Sequence, residues 1–91
     1  MQVWLVEIEE IYYGSSSRYL VDENISLDEW IKGYFGERYV IESTMHVTPT
    51  MAECVASTND DEDECYVVAQ LMTRDEALGY LSHDERCKAT R

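Results

Sequence analysis

The segment SLDEWIKGYFG, residues 26–36, carries the clearest structural signal in this chain. Ser26 and Glu29 form a capping box, in which the serine side chain accepts from the third helical N–H and the glutamate reaches back to the serine N–H. Gly36 suits a helix C-terminus. The apolar side chains between them recur at helical spacing on one face, at Leu27, Trp30, Ile31, Tyr34 and Phe35. This pattern predicts an amphipathic helix that packs on a second layer.

The segments before this helix have the pattern of a β-hairpin. Residues Val3–Tyr13 alternate along the chain and are rich in β-branched and aromatic side chains, which is typical of a strand. One face of that strand holds Trp4, Val6 and Ile8, and the other holds Glu7 and Glu9. Gly14–Ser17 is predicted to be a flexible turn, and Arg18–Asp22 a second, shorter strand.

The segments after the helix predict more strands and a second helix. Arg38–Thr48 is the third predicted strand, ended by Pro49, which cannot donate to a central ladder. Met51–Ala56 is either a short extra strand or an irregular excursion. Cys65–Met72 is apolar on both faces, which favours a central strand. Thr73–Glu76 repeats the capping-box pattern before a short apolar stripe, so a second helix is expected there.

We therefore expect one α+β domain over residues 1–82, with an antiparallel sheet of about four strands and two short helices. Residues 57–64 form an acidic loop in this scheme, and residues 83–91 form a polar tail that frays. Gly33-Tyr34-Phe35 and Gly79-Tyr80-Leu81 follow the two capping boxes in the same way. The likeness is either chance, because capped helices share cap chemistry, or a duplicated ββα unit with both helices on one face of the sheet.

The charge of the chain limits its partners. Nineteen Asp and Glu against seven Lys and Arg give a formal net charge of -12 over 91 residues. Proteins that bind nucleic acid directly carry basic surfaces, and anionic lipid surfaces repel an acidic chain. An acidic domain can instead compete with DNA or RNA for a basic protein surface. The alternative interpretation is that the acidity serves solubility alone.

The composition also predicts a compartment. No stretch approaches the ~20 apolar residues that span a bilayer, and the start of the chain lacks the basic and apolar regions of a signal peptide. We expect a cytoplasmic protein, in the host cytoplasm if the chain is viral. Three cysteines without a C-x-x-C pair then favour free, buried thiols. A Cys54–Cys65 disulfide is the alternative if those residues lie on adjacent strands.

Catalytic and metal sites are poorly supported, so we predict no enzyme, no catalytic residue, no metal and no cofactor. Only a Cys54–His46 pair could serve nucleophilic catalysis, and no local signature accompanies it. Three cysteines and two histidines lack zinc-ligand spacing. A calcium loop starting at Asp60 would need glycine at its sixth position and glutamate at its twelfth, where Cys65 and Met72 stand.

The candidate partner-binding residues are carboxylates on the predicted strands and in the acidic loop. They are Glu7, Glu9, Glu10, Asp22, Glu23, Glu42, Asp60, Asp61, Glu62, Asp63 and Glu64. Glu7 and Glu9 are about 6.8 Å apart along a strand, a spacing comparable to that of successive phosphates on one DNA strand. The alternatives are an ordinary solvent face for Glu7 and Glu9, and a solvated loop for residues 60–64. Tyrosines exposed near these acids would add apolar anchors.

In size and charge the chain resembles the small acidic inhibitors encoded by bacteriophages, on the strength of Glu7–Glu10 and Asp60–Glu64. That group includes DNA-mimic anti-restriction proteins, such as the acidic anti-restriction nuclease protein of T-even phages, and several anti-CRISPR proteins. The resemblance implies a stoichiometric inhibitor, often dimeric, that occupies the DNA-binding cleft of a host nuclease or DNA-binding protein. The alternative functions are an immunity protein or antitoxin that caps a basic toxin, and an accessory interaction subunit.

Overall fold

The structure is a computed structural model that describes residues 2–42, 45–58 and 63–81. It confirms the α+β class, with one antiparallel sheet and two helices. In chain order the elements are β1 (Gln2–Glu10), β2 (Ser15–Asp22), α1 (Leu27–Phe35), β3 (Tyr39–Ile41), β4 (Met45–Thr48), β5 (Met51–Thr58), β6 (Glu64–Thr73) and α2 (Arg74–Gly79). No helix among these described residues is long and apolar enough to cross a membrane.

The strand order is β2-β1-β6-β5-β3, and β4 pairs with β5 beside β3. The expected central position of the fourth predicted strand is confirmed, because β6 lies between β1 and β5. The segment after Pro49 is a full strand, β5, and no irregular excursion. The prediction of one continuous strand over Arg38–Thr48 is wrong, because its two ends pair separately with β5 as β3 and β4, with a register shift inside β4.

The β1–β2 hairpin turns earlier than the sequence suggests. Glu10 pairs with Ser15, so the turn is Ile11–Gly14 and the serines belong to β2. Gly14 has a φ of 67° and its N–H donates to the Glu10 carbonyl at 2.8 Å. Glycine adopts this left-handed conformation without a Cβ penalty. The first strand therefore ends at Glu10, three residues before the predicted end at Tyr13.

Both helices begin as their capping boxes predict. The Ser26 and Thr73 hydroxyls accept from the Glu29 and Glu76 N–H groups at 3.4 and 3.3 Å. Gly36, with a φ of 76°, donates its N–H to the Lys32 carbonyl and ends α1. Local cap chemistry therefore sets the helix ends in this chain.

The two helices lie on opposite faces of the sheet, so the alternative of a duplicated ββα unit with both helices on one face is wrong. Leu27 and Ile31 of α1 cluster with Val6 and other side chains on the first face. Ala77 of α2 and Leu81 cluster with Leu5 on the second. The reason is that the first half of β1 buries consecutive residues, and successive strand side chains point to opposite faces.

Cys54 and Cys65 are free and buried on the first face. They lie on adjacent strands, yet Cys54 pairs with Val67 and Cys65 pairs with Ala56. The prediction of free thiols is confirmed for both residues, and the disulfide alternative is wrong. Cys87 lies outside the described residues.

Candidate functional site

Four of the predicted carboxylates meet at one end of the sheet. Glu9 and Glu10 end β1, and the register sets them opposite Tyr66 and Cys65 at the start of β6. The Ile11 N–H donates to the Glu64 carbonyl at 2.9 Å, which connects the hairpin turn to the first residue of β6. We call this surface the acidic end and define it by Glu9, Glu10, Ile11, Tyr12, Tyr13, Asp63 and Glu64.

Apolar side chains protrude in the middle of these carboxylates. Ile11, Tyr12 and Tyr13 are 47%, 58% and 73% exposed. The sequence pattern assigned them to a strand, where alternate side chains would have been buried. The turn closed by Gly14 exposes all three instead. The sequence feature that indicates this turn is Gly14, four residues after Glu10, which is the last residue of β1.

Asp63 is held by a structural hydrogen-bond network. The Tyr39 hydroxyl donates to Asp63 Oδ2, and the Asp63 N–H donates to Thr58 Oγ1 at 3.0 Å. The Thr58 N–H donates in turn to the Asp63 carbonyl at 3.1 Å. The hydrogen bond to Asp63 and burial raise the pKa of Tyr39 to about 12. Asp63 therefore anchors β6 beside β3 and β5, and Glu9, Glu10 and Glu64 remain as the carboxylates best placed to meet a partner.

Glu7 has a cation opposite it. Glu7 pairs with Arg18 across the hairpin, and Arg18 Nε donates to Glu7 Oε2 at 3.0 Å. Glu9, two residues along, lies opposite Ser16 and is exposed. The negative charge of Glu7 is therefore locally compensated, and that of Glu9 is not compensated by its cross-strand neighbour.

The remaining predicted site residues are elsewhere. Asp22 is the last residue of β2 and Glu23 follows it, at the end of the sheet far from the acidic end. Asp22 Oδ1 accepts from the Asn24 N–H at 2.9 Å. Glu42 is exposed at the opposite edge of the sheet, where its N–H donates to the Val55 carbonyl at 3.0 Å. Residues 60–62, which are Asp60, Asp61 and Glu62, lie outside the described residues.

Several aromatic rings line the helix side of the sheet. Trp30 and Tyr34 stack with their centroids 5.5 Å apart, and Tyr19 contacts both rings. The hydroxyls of Tyr19 and Tyr34 share a hydrogen bond of 3.1 Å. Burial, followed by this hydrogen bond, raises the pKa of Tyr34. Tyr19 and Trp30 act mainly in packing, since they contact the buried cluster under α1, whereas Tyr34 is 43% exposed.

The described thiols are poor nucleophiles. Burial, followed by the nearby carboxylates of Asp63, Glu10 and Glu64, raises the pKa of Cys65 to about 11. A thiol attacks as its thiolate, which is scarce at neutral pH under these conditions. Cys54 is buried in the same cluster. His46 pairs with Ala52 on β5, two residues from Cys54. No group of three or more His, Cys, Asp or Glu in the described ranges is arranged to hold a metal.

An alkaline pH is expected to destabilise the fold. The pKa values of Tyr34, Tyr39 and Tyr66 are raised from the ordinary 10.0 of tyrosine, and that of Cys65 is raised from the ordinary 9.0 of cysteine. The unfolded chain therefore loses protons that the folded chain still holds, so stability falls as the pH rises above about 9. Thermal unfolding followed by circular dichroism should show a melting temperature that declines between pH 8 and pH 11.

The variant Tyr39→Phe provides the control for this pH dependence. It removes one raised pKa and should decline less steeply above about pH 10 than the original protein. Its lost hydrogen bond should lower the melting temperature at every pH. A melting temperature that is flat up to pH 11 in the original protein would contradict the assigned proton linkage.

Comparisons with protein-family models, with curated proteins and with solved structures gave no match to this chain. Function is therefore inferred from the charges and exposed side chains of the acidic end.

Proposed function

We propose that this protein is a non-enzymatic inhibitor that binds a basic nucleic-acid-binding surface of another protein in place of DNA or RNA. The target class is a host defence nuclease or a DNA-binding protein, and the site of action is the cytoplasm. One observation carries the proposal. The carboxylates of Glu9, Glu10 and Glu64 flank an exposed apolar tip at Tyr12 and Tyr13.

The carboxylates supply attraction and orientation. A net charge of -12 produces a negative field that steers a basic partner over roughly a Debye length, about 8 Å at physiological salt. Glu9 and Glu10 point to opposite faces of the sheet, as adjacent strand residues do. The acidic end can therefore present carboxylates to both walls of a cleft that normally holds a phosphate backbone.

The exposed tyrosines supply affinity that charge alone does not. Exposed ion pairs contribute little each, about 1 kcal/mol or less, whereas buried aromatic side chains are common hot spots of protein interfaces. Tyr12 and Tyr13 lie at the tip of a hairpin, where a partner surface can reach them without moving the sheet. A loop that served solubility alone would have no reason to expose two tyrosines beside the acids.

Capture from bacterial lysate on the immobilised protein tests this proposal, with mass spectrometry to identify what is retained. We expect nucleic-acid-binding proteins that are released both by added duplex DNA and by raising the salt concentration. Retained proteins that do not bind nucleic acid, or binding indifferent to DNA and salt, would contradict the proposal. So would the absence of any retained protein at low salt.

A second candidate function is an immunity protein or antitoxin that caps one basic toxin. The concentration of exposed apolar area at Tyr12 and Tyr13 favours it, because tight single-partner complexes depend on a few such residues. In that case Tyr13→Ala alone would abolish binding, and neutralising single carboxylates would change it little. The nucleic-acid mimic instead predicts a loss that is shared among several carboxylates.

A further inference from the structure

The sheet ends on one side at β2, and no strand of the described residues lies beyond it. We call this side the β2 edge and define it by Ser15–Asp22. The strand is eight residues long, contains no proline and pairs with β1 in unbroken register. The opposite side of the sheet is formed by β3 and β4, of three and four residues, with a register shift in β4. Short or irregular strands resist pairing with another chain, whereas a long regular edge is a template for it.

The hydrogen-bond pattern shows which backbone groups of β2 point outward. The Ile11 N–H donates to the Glu64 carbonyl in the register of the β1–β6 ladder, so the odd-numbered residues of β1 bond to β6 and the even-numbered ones to β2. The even-numbered residues of β1 pair with odd-numbered residues of β2. The N–H and C=O groups of Arg18, Leu20 and Asp22 consequently point away from β1. They form a row of donors and acceptors for an antiparallel strand.

The charges of β2 are complementary to those of a second β2 in one register. Centred on Leu20, this register pairs Leu20 with its own copy, Tyr19 with Val21, and Arg18 with Asp22 of the second chain. Opposite charges directly across an antiparallel pair are stabilising, and like charges are destabilising. Registers centred on Arg18 or on Asp22 set like charges across from each other. Since Arg18 and Asp22 are the two charged residues of β2, only the register centred on Leu20 sets opposite charges across from each other.

Exposed aromatic rings flank the β2 edge on both faces of the sheet. On the first face Tyr34 is 43% exposed, and its ring centroid lies 5.2 Å from that of Tyr19. On the second face Tyr80 is 61% exposed, and its carbonyl accepts from Arg18 Nη1 at 3.2 Å. A strand added at this edge gains affinity from backbone hydrogen bonds, and apolar area covered on either side adds to it.

We propose that two copies of this chain form a symmetric dimer through the β2 edge, in the antiparallel register centred on Leu20. The two sheets then join into one, and Arg18 of each chain lies opposite Asp22 of the other. The Asp22 carbonyl already accepts from the Ile25 N–H at 3.0 Å and has a second lone pair for the added strand. This twofold contact uses the β2 edge of both chains and is closed, so assembly stops at two chains.

The dimer interface is separate from the acidic end, so the dimer does not depend on the proposed function. The acidic end lies beside the start of β2, where Glu10 pairs with Ser15. In an antiparallel pair the two starts of β2 point in opposite directions, about 33 Å apart along the strands. That separation exceeds the Debye length of about 8 Å at physiological salt, so the two acidic ends repel each other little and both stay exposed.

Sedimentation equilibrium of the full chain over a wide concentration range tests the dimer. We expect the mass of one chain at low concentration and twice that mass at high concentration. The variants Arg18→Glu and Asp22→Lys each convert both cross-strand charge pairs into like-charge pairs, and each should raise the dissociation constant about tenfold. An equal mixture of the two variants should recover the dimer, because every charge pair between an Arg18→Glu chain and an Asp22→Lys chain joins opposite charges.

The matched control is Glu23→Lys, which makes the same charge change as Asp22→Lys one residue beyond β2. It should leave the dissociation constant unchanged, and circular dichroism shows that each variant is folded. A single-chain mass at every concentration, assemblies larger than two chains, or a mixture that fails to recover the dimer would overturn the proposal. Equal weakening by Glu23→Lys would overturn it too, by assigning the effect to net charge.

Hydrogen exchange of the original protein tests the same contact without any substitution. The outward amides of Leu20 and Asp22 should exchange more slowly at a concentration where the dimer forms than at one where it does not. The amides of Tyr19 and Val21 point toward β1 and should change less. Exchange rates of Leu20 and Asp22 that are the same in the monomer and the dimer would place the interface elsewhere and refute the proposed register.

Discussion

Replacing Glu9, Glu10 and Glu64 together by glutamine is expected to weaken binding to the proposed basic partner about a hundredfold at low salt. Each exposed charge pair contributes up to about 1 kcal/mol, and about 1.4 kcal/mol is a tenfold change in affinity. Glutamine keeps the size of each side chain, and within the described part of the chain none of the three carboxylates accepts a structural hydrogen bond as Asp63 does from Tyr39. The fold should therefore survive the change.

Calorimetric titration of the captured partner measures this loss, and stopped-flow mixing should place much of it in the association rate. The matched control is Glu23→Gln/Asp28→Asn/Asp75→Asn, which removes the same charge from exposed residues at the other end of the sheet. That control should lose only the weaker, long-range part of the attraction. Equal losses in both variants would show that net charge, and not the acidic end, controls binding.

The helices of this fold were predictable because their signals are local. The capping boxes at Ser26 and Thr73 and the apolar spacing of Leu27 and Ile31 depend on residues within two turns of one another. The central position of β6 also followed from its apolar composition. Each of these predictions needed no knowledge of which strands pair.

The wrong predictions concern features that depend on how the strands pair with one another. Ile11–Tyr13 has strand-like residues, but the Glu10–Ser15 register and Gly14 place it in a turn. The break between β3 and β4 depends on how each piece meets β5. The side of the sheet taken by α2 depends on Val3, whose burial the alternation of Trp4, Val6 and Ile8 does not indicate.

The candidate site was predictable only as a set of acids. Their grouping at one end comes from the β1–β6 register, which sets Glu9 and Glu10 beside the residues that follow Asp63. Glu7 is paired with Arg18, and Asp63 accepts a hydrogen bond from Tyr39, so both are less available to a partner. These contacts join residues 11 and 24 positions apart in sequence. Sequence shows the charge of a carboxylate but not the partner that compensates it.

Ile31→Ala is expected to lower the free energy of unfolding by about 3 kcal/mol. Ile31 is 1% exposed and belongs to the buried cluster that holds Val6 and Val67. Removing its side chain loses the transfer free energy of the missing carbons and leaves a cavity, because the neighbouring strands can close only part of the gap. Urea unfolding followed by tryptophan fluorescence measures the loss, with Trp4 and Trp30 as reporters in the same cluster.

Val40→Ala is the matched control, because Val40 is 52% exposed on β3 and should lose well under about 1 kcal/mol. A loss below about 1 kcal/mol for Ile31→Ala would mean that α1 is not packed on the first face. Ile31 belongs to α1, is buried on the first face of the sheet and is not part of the acidic end, so below its unfolding transition the variant should bind the partner as the original protein does. If Ile31→Ala lowers the free energy of unfolding but leaves the affinity for the partner unchanged, the core under α1 does not contribute to binding. The binding energy would then be assigned to the acidic end.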